Sequence, residues 1–210
     1  MLKEPLLIWS KVLTGFNPGA MFLSRGKFTP SLLNGSLATI SPGNLEDMDK
    51  YARLYQKRQV RYIFDPGQSI PALAPAVIEN GIKGAEIVIG NDYEIEMIKE
   101  KIGWTAKHLE REIKTLIVTK GGKGAEILER GKRYIIKTAK PKKVVDPTGA
   151  GDAFRAGLIK GLVNGWNLQK SAKLAATVAS FAVEEYGGQG YRFTNQEIKR
   201  RFKNNFNENL

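Results

Sequence analysis

The feature that most limits how this chain can fold is its repeated switch between two hydrophobic periods. Short apolar runs read as strands: SLATIS (Ser36 to Ser41), RYIFD (Arg61 to Asp65) and AEIVIG (Ala85 to Gly90). Amphipathic stretches follow them. Leu45, Met48, Tyr51, Ala52 and Tyr55 fall at helical spacing between Leu45 and Arg58. IPALAPAVIENG (Ile70 to Gly81) reads as a helix that is interrupted or started near Pro75 and is ended by Gly81. NDYEIEMIKEKIG opens a helix at Asn91 and closes it at Gly103, and Thr105 is placed to cap the next one. TLIVTKGGKGAEILE reads as strand, glycine turn, strand, and KRYIIK pairs with it as a hairpin. Helical patterns then run from Asp152 to Asn164 and from Leu168 to about Glu185, and a last helix starts at Thr194, three residues before Glu197, at capping-box spacing. Such alternation predicts an α/β fold in three layers, with a mostly parallel sheet covered by helices on both faces. Residues 1–210 read as a single domain.

The bulk numbers narrow the class. A chain of 210 residues builds one sizeable core. No apolar run is long enough to span a bilayer, and no cleavable leader is visible, so a cytoplasmic protein that does not associate with membranes is expected. Cysteine is absent, which removes disulfide and thiol chemistry. The net charge of +12 admits nucleic acid or small anions as partners. The charge is dispersed, however, and its densest run, KTAKPKK (Lys137 to Lys143), reads as a solvated loop. A basic nucleic-acid-binding module is therefore a distant alternative, and no nucleic acid is expected as partner.

One segment asks for chemistry. In VVDPTGAGDAFRAGL (Val144 to Leu158) two glycines precede a carboxylate where a helix begins. A helix N-terminus offers unpaired N–H groups and partial positive charge, and glycine lets a ligand approach the backbone. Thr148 to Gly151 can thus cradle an anion. Asp152 beside it either complements the helix dipole or accepts the proton of a hydroxyl while the cradle holds a transferring phosphoryl group. TKGGKGA (Thr119 to Ala125) is a second glycine turn, which a hairpin alone explains, and Asn91 in NDYE is by itself a helix N-cap. All three segments are expected at C-terminal ends of strands, where open α/β sheets bind ligands.

DPTGAGDAF, NDYE and VTKGGKGA resemble, respectively, the C-terminal signature, the N-x-x-E motif and the nucleotide segment of the ribokinase-like, or phosphofructokinase-B, family of sugar and nucleoside kinases, and they occur in the family's order. FNPGAM (Phe16 to Met21), FDPGQSIP (Phe64 to Pro71) and GGQGYRFT (Gly187 to Thr194) are similar to bacterial members described as adenosine kinases. The resemblance covers about residues 14 to 206. It implies ATP and Mg²⁺ as cofactors and a nucleoside or sugar, adenosine first, as acceptor. Asp152 would be the catalytic base, with the amides of Gly149, Ala150 and Gly151 as anion hole. Asn91 and Glu94 would organise magnesium and phosphate, Glu94 through water. Thr119, Gly121 and Gly124 would border the phosphates and ribose. Ala176, Ala179 and Ser180 would flank the adenine. Asp65 serves either the site or a structural turn.

The chain departs from the family pattern before PGAM. Residues 1–13 do not resemble the family's first strands and lid, and no glycine pair precedes Gly121. The resemblance is to the C-terminal two-thirds of the fold, without the lid, and the missing strands would leave a sheet edge for a second copy or a partner chain. A shortened gene, a piece of a longer protein and a chain completed by a partner all fit, so an inactive nucleotide-binding fragment or subunit stands as an alternative to a kinase. His108, the one histidine, is expected at the surface, and Trp9, Trp104 and Trp166 in packing. Tyr186, Tyr191 and Phe193 are expected to pack the terminal helix rather than stack on a base.

Overall fold

The structure, a computed structural model, describes residues 36–210. FNPGAM, Trp9 and the divergent residues 1–13 lie outside the described part. Among the described residues are six strands and seven helices: β1 Leu37–Ile40, α1 Leu45–Lys57, β2 Arg61–Phe64, α2 Pro75–Gly84, β3 Ile87–Asn91, α3 Asp92–Ile102, α4 Ala106–Glu112, β4 Thr115–Thr119, β5 Ala125–Glu129, β6 Lys132–Ile136, α5 Ala150–Val163, α6 Leu168–Ala182 and α7 Asn195–Phe206. The strands follow one another in the sheet in chain order. The chain divides into two compact units, one ending at residue 117 with 129–131 added, the other formed by 118–128 and 132–210.

In the first unit β1 pairs parallel with β2, and β2 with β3, in the register Ile40 to Phe64 and Phe64 to Val88. Tyr62, Ile63, Phe64, Ile87, Val88 and Ile89 are buried, as parallel strands covered on both faces require. Helix α1 presents Met48 and Ala52 to the core, and Asn44 caps it by accepting from the Asp47 amide. Helix α2 begins at Pro75 but runs through Gly81 to Gly84. The expectation that Gly81 ends it is corrected by packing: a Cβ there would stand 2.4 Å from the Phe64 ring. The glycine lets the helix lie against β2, and the Tyr62 hydroxyl donates to the Gly81 carbonyl at 2.8 Å. Burial pushes that phenol up to about 12. Gly103 closes α3 in the left-handed conformation, and Thr105 caps α4 by accepting from the His108 amide, both as expected. His108 is 39% exposed and stacks on Trp104, ring centroids 4.4 Å apart.

The hairpin of β5 and β6, most of whose strand residues fall in the second unit, is turned by Arg130 and Gly131 at φ 49° and 77°. The sheet is therefore mixed, parallel at its β1 end and hairpin-built at the other. Helices α5 and α6 meet at backbone distance. A Cβ on Gly157 would lie 2.7 Å from the Ala175 Cα, and one on Gly161 2.6 Å from the Ser171 hydroxyl. Ala153, Leu174, Val178, Ala182 and Phe202 form a buried cluster, against which Trp166, Tyr191 and Phe193 pack. Tyr186 does not join them. It is 81% exposed, because it lies past the end of α6 at Ala182, in the bend that leads to Gly187.

Candidate functional site

The glycine turn before α5 is held by a residue that the sequence reading passed over. Asp146 accepts from the Thr148 amide through Oδ1 and from the Gly187 amide through Oδ2, each at 2.9 Å. These two donors, Gly187 first, hold its carboxyl below the ordinary aspartate range. The bond to Thr148 is an Asx turn, and an aspartate two residues before a threonine in a Pro-Thr-Gly segment was the available signal. The bond to Gly187 fastens the turn to a second loop. The Val145 and Asp146 amides also donate to the Val183 carbonyl, at 2.8 and 3.3 Å. Val144 to Asp146 is thus anchored at the C-terminal end of α6, bends at Val145, and is not a strand of the sheet. Of the three segments expected after strand ends, only Asn91 and Thr119 terminate strands, β3 and β4.

Gly149 is the N-cap of α5 at φ 78°, a conformation that side chains rarely adopt. A Cβ on it would stand 2.4 Å from the Gly188 Cα. Two loops therefore meet through two glycines at the start of the helix. Gly151 is in the first turn of α5, where amides lack an acceptor four residues back. The Ala150 amide is turned onto the Pro147 carbonyl at 3.2 Å. Asp152 completes the first turn. Its side chain is 87% exposed, and the Arg155 guanidinium lies 3.4 Å from Oδ1. A carboxylate here faces solvent at the positive end of a helix.

The second glycine segment, Thr119 to Ala125, is a tight turn. Lys120 N donates to the Gly124 carbonyl at 2.8 Å, and Gly124 N to the Gly121 carbonyl at 3.0 Å. Gly121 has φ 53° with open space where a Cβ would be, whereas Gly124, at φ 91°, leaves no room beside the Ile136 carbonyl. Thr119 ends β4 half-buried. Glu126 pairs with both Lys120 and Arg133 and ties the turn to the hairpin. On α6, Ala176 and Ser180 are buried and Ala179 half-buried. The Ser180 hydroxyl donates to the Thr177 carbonyl at 2.7 Å and meets the Arg201 guanidinium at 3.0 Å.

Asn91 and Glu94 belong to the first unit. They form a reciprocal cap on α3: the Glu94 amide donates to Asn91 Oδ1, and the Asn91 amide to Glu94 Oε2, each at 2.8 Å. N-x-x-E is capping-box spacing, so the sequence carried this role beside the family resemblance. Asp65 is buried at the end of β2, its amide bonded to the Ile40 carbonyl at 2.9 Å. Among the described residues, no group of three or more histidine or carboxylate side chains gathers as a metal site, and no helix is long and apolar enough to cross a membrane.

Residues 28–193 match a family model described as pfkB family carbohydrate kinase. A nucleoside kinase of Methanocaldococcus jannaschii is 34% identical over 164 residues, which is 78% of this chain and 54% of the relative. The solved nucleoside kinase of Burkholderia thailandensis in complex with inosine superposes with a TM-score of 0.79 at 32% identity, covering 82% of this chain and 57% of that one. The M. jannaschii nucleoside kinase structure, an archaeal member of the ribokinase family, gives 0.78 at 29% identity over 90% of this chain and 61% of that one. The chain spans about half the length of the curated relatives it matches.

Proposed function

The chain belongs to the pfkB family of carbohydrate kinases and has the ribokinase-like α/β fold, and on that premise we propose that it serves ATP-dependent phosphoryl transfer to a hydroxyl of a purine nucleoside. The observation that carries the proposal is Asp152: an exposed carboxylate in the first turn of α5, directly after a glycine cradle that another loop braces. The inosine complex of the B. thailandensis relative supports a purine nucleoside as acceptor class. The segments FDPGQSIP and GGQGYRFT favour adenosine within it. Residues 1–210 are taken as one kinase domain.

Asp152 accepts the proton of the acceptor hydroxyl as its oxygen attacks the γ-phosphorus in line, and the bond to the β-phosphate oxygen breaks, leaving ADP. The amides of Gly149, Ala150 and Gly151 are assigned to the charge that develops on the transferring group. Gly149 fits this role, because any side chain there would fill the space against Gly188. Ala150 contributes less in the conformation described, since its amide already serves Pro147. Thr119, Gly121 and Gly124 are assigned to the phosphates and ribose, and Ala176, Ala179 and Ser180 to the adenine side. Ala179 is the one of these three with its side chain partly open. Mg²⁺ would neutralise phosphate charge, held by the phosphates and, through water, by Glu94.

The test is product formation from adenosine and from inosine with Mg-ATP, by the wild-type chain and Asp152→Asn. Nucleoside monophosphate is expected from the wild type, with a loss of at least about 10³-fold in the variant at unchanged ATP affinity. Equal turnover in the two proteins refutes the role of Asp152. A folded chain that binds ATP and forms no product supports the second reading, a nucleotide-binding subunit that needs further residues.

A further inference from the structure

We propose that the cleft between the Lys140–Lys142 loop and α7 is a binding site for a small phosphorylated metabolite, separate from the phosphoryl-transfer site. The cleft encloses about 330 Å³, room for a compact metabolite. Its back wall is a settled structure. The Arg201 guanidinium lies 3.5 Å over the Phe181 ring, and both residues are buried. Arg201 also grips Glu184 in a bidentate pair, at 2.9 and 3.1 Å, and donates to the Ser180 hydroxyl. Glu184 in turn accepts the Lys142 amide and fixes the loop that forms the opposite wall.

The carboxylates of the cleft are already committed. Glu184 serves Arg201, and Glu197 accepts the Thr194 amide at 2.8 Å and the Thr194 hydroxyl at 2.9 Å to start α7. Three cations remain. Lys140, Lys142 and Arg200 are exposed, line the cleft and form no ion pair among the described residues. Lys142 and Arg200 add to the effects that hold the Glu197 carboxyl below its ordinary range, so their charge is felt across the cleft. The Asn205 amide group is occupied by Lys140 N and the Arg201 carbonyl, and it holds the loop and α7 together under the opening.

This chemistry selects phosphate. Lysine and arginine side chains are donors without acceptors, and three of them against the single carboxylate of Glu197 leave a concave surface with net positive charge, which calls for a compact multivalent anion. The one aromatic ring is already covered by Arg201, so no base would stack there. The sequence reads the same residues as a solvated charge run; the fold closes that run against a helix carrying Arg200.

The test uses inorganic pyrophosphate as probe, titrated into the chain of residues 1–210 while backbone amide resonances are followed. Saturable shifts are expected at Arg200, Arg201 and Asn204, with affinity about tenfold or more weaker in Lys142→Gln/Arg200→Gln. Both substitutions are at exposed, unpaired side chains; if the double variant loses its fold, Lys140→Gln gives the same reading with a smaller loss. Shifts confined to residues 148–152, equal affinity in the variants, or non-saturating behaviour overturns the proposal. So does binding of a single-stranded oligonucleotide at this face without binding of pyrophosphate, which would make it a nucleic-acid surface. A phosphoryl-transfer defect in Asp152→Asn bears on the proposed kinase activity alone and leaves this result untouched.

Discussion

Gly149→Ala should cost both stability and turnover, and Gly187→Ala should cost little more than backbone strain. The two glycines share a left-handed conformation, φ 78° and 75°. An L residue held there carries about 1–2 kcal/mol. At Gly187 the added Cβ meets nothing within 4 Å, so the cost ends there. At Gly149 it would stand 2.4 Å from the Gly188 Cα and 3.0 Å from the Gly188 carbonyl oxygen. The first distance is about 1.4 Å inside ordinary carbon contact. Both neighbours are backbone, so no flexible side chain can give way. Relief requires one loop to move by about an ångström, which adds roughly 1–3 kcal/mol. The expected loss is therefore about 2–5 kcal/mol for Gly149→Ala against about 1–2 for Gly187→Ala, read by urea unfolding. The same displacement carries the first turn of α5 and Asp152 with it. Misplacement on that scale lowers phosphoryl transfer by about 10²-fold, whereas Gly187→Ala keeps the rate within a few-fold. Equal losses of stability and rate in the two variants would refute the idea that the meeting of Gly149 with Gly188 positions the cradle.

Arg201→Ala leaves Glu184 buried without its partner, and about 3–5 kcal/mol of stability should be lost in denaturant unfolding. The double variant with Glu184→Ala should lose less than the sum of the two single changes. Gly81→Ala drives a methyl into the Phe64 ring, with an expected loss of about 1–3 kcal/mol and a lower thermal midpoint. Asp146 has its pKa depressed by the Gly187 and Thr148 amides, so its contribution is present above the ordinary value of 3.8 and is lost as pH falls through the lower folded value. The difference in thermal midpoint between wild type and Asp146→Asn should accordingly be full well above pH 3.8 and shrink progressively as pH falls below it. A constant difference across that window would remove the carboxylate's charge from the account.

Local signals were the legible ones. Thr105, Gly103 and the Thr194–Glu197 box cap the helices where the sequence places them, because capping is settled within four residues. The hairpin of β5 and β6 follows from its turn. Gly81 was misread because a glycine that ends a helix and one that admits a neighbouring ring look alike until Phe64, seventeen residues earlier, is in place. The segment before the cradle has strand-like residues, Val144 and Val145, but finds its partner in the Val183 carbonyl rather than in a strand, and no periodicity announces that. Gly188 and Arg201 act through residues 39 and 17 positions away. Distances of that kind in the chain are visible only after folding. Asp146 was within reach, since its bond to Thr148 is a two-residue pattern, yet its second bond to Gly187 was not.

The close seat of α5 on α6 has a mechanical meaning. Gly157 against Ala175 and Gly161 against Ser171 leave no side-chain layer to compress or slide. Asp152 starts one of these helices, and Ala176 follows directly on a contact residue of the other. The two helices therefore respond to a force as one stiff strut, and the separation between Asp152 and Ala176 is set by that packing. On the proposed assignment, movement that brings reactants together would be made by what approaches this strut; the strut itself would be the anvil.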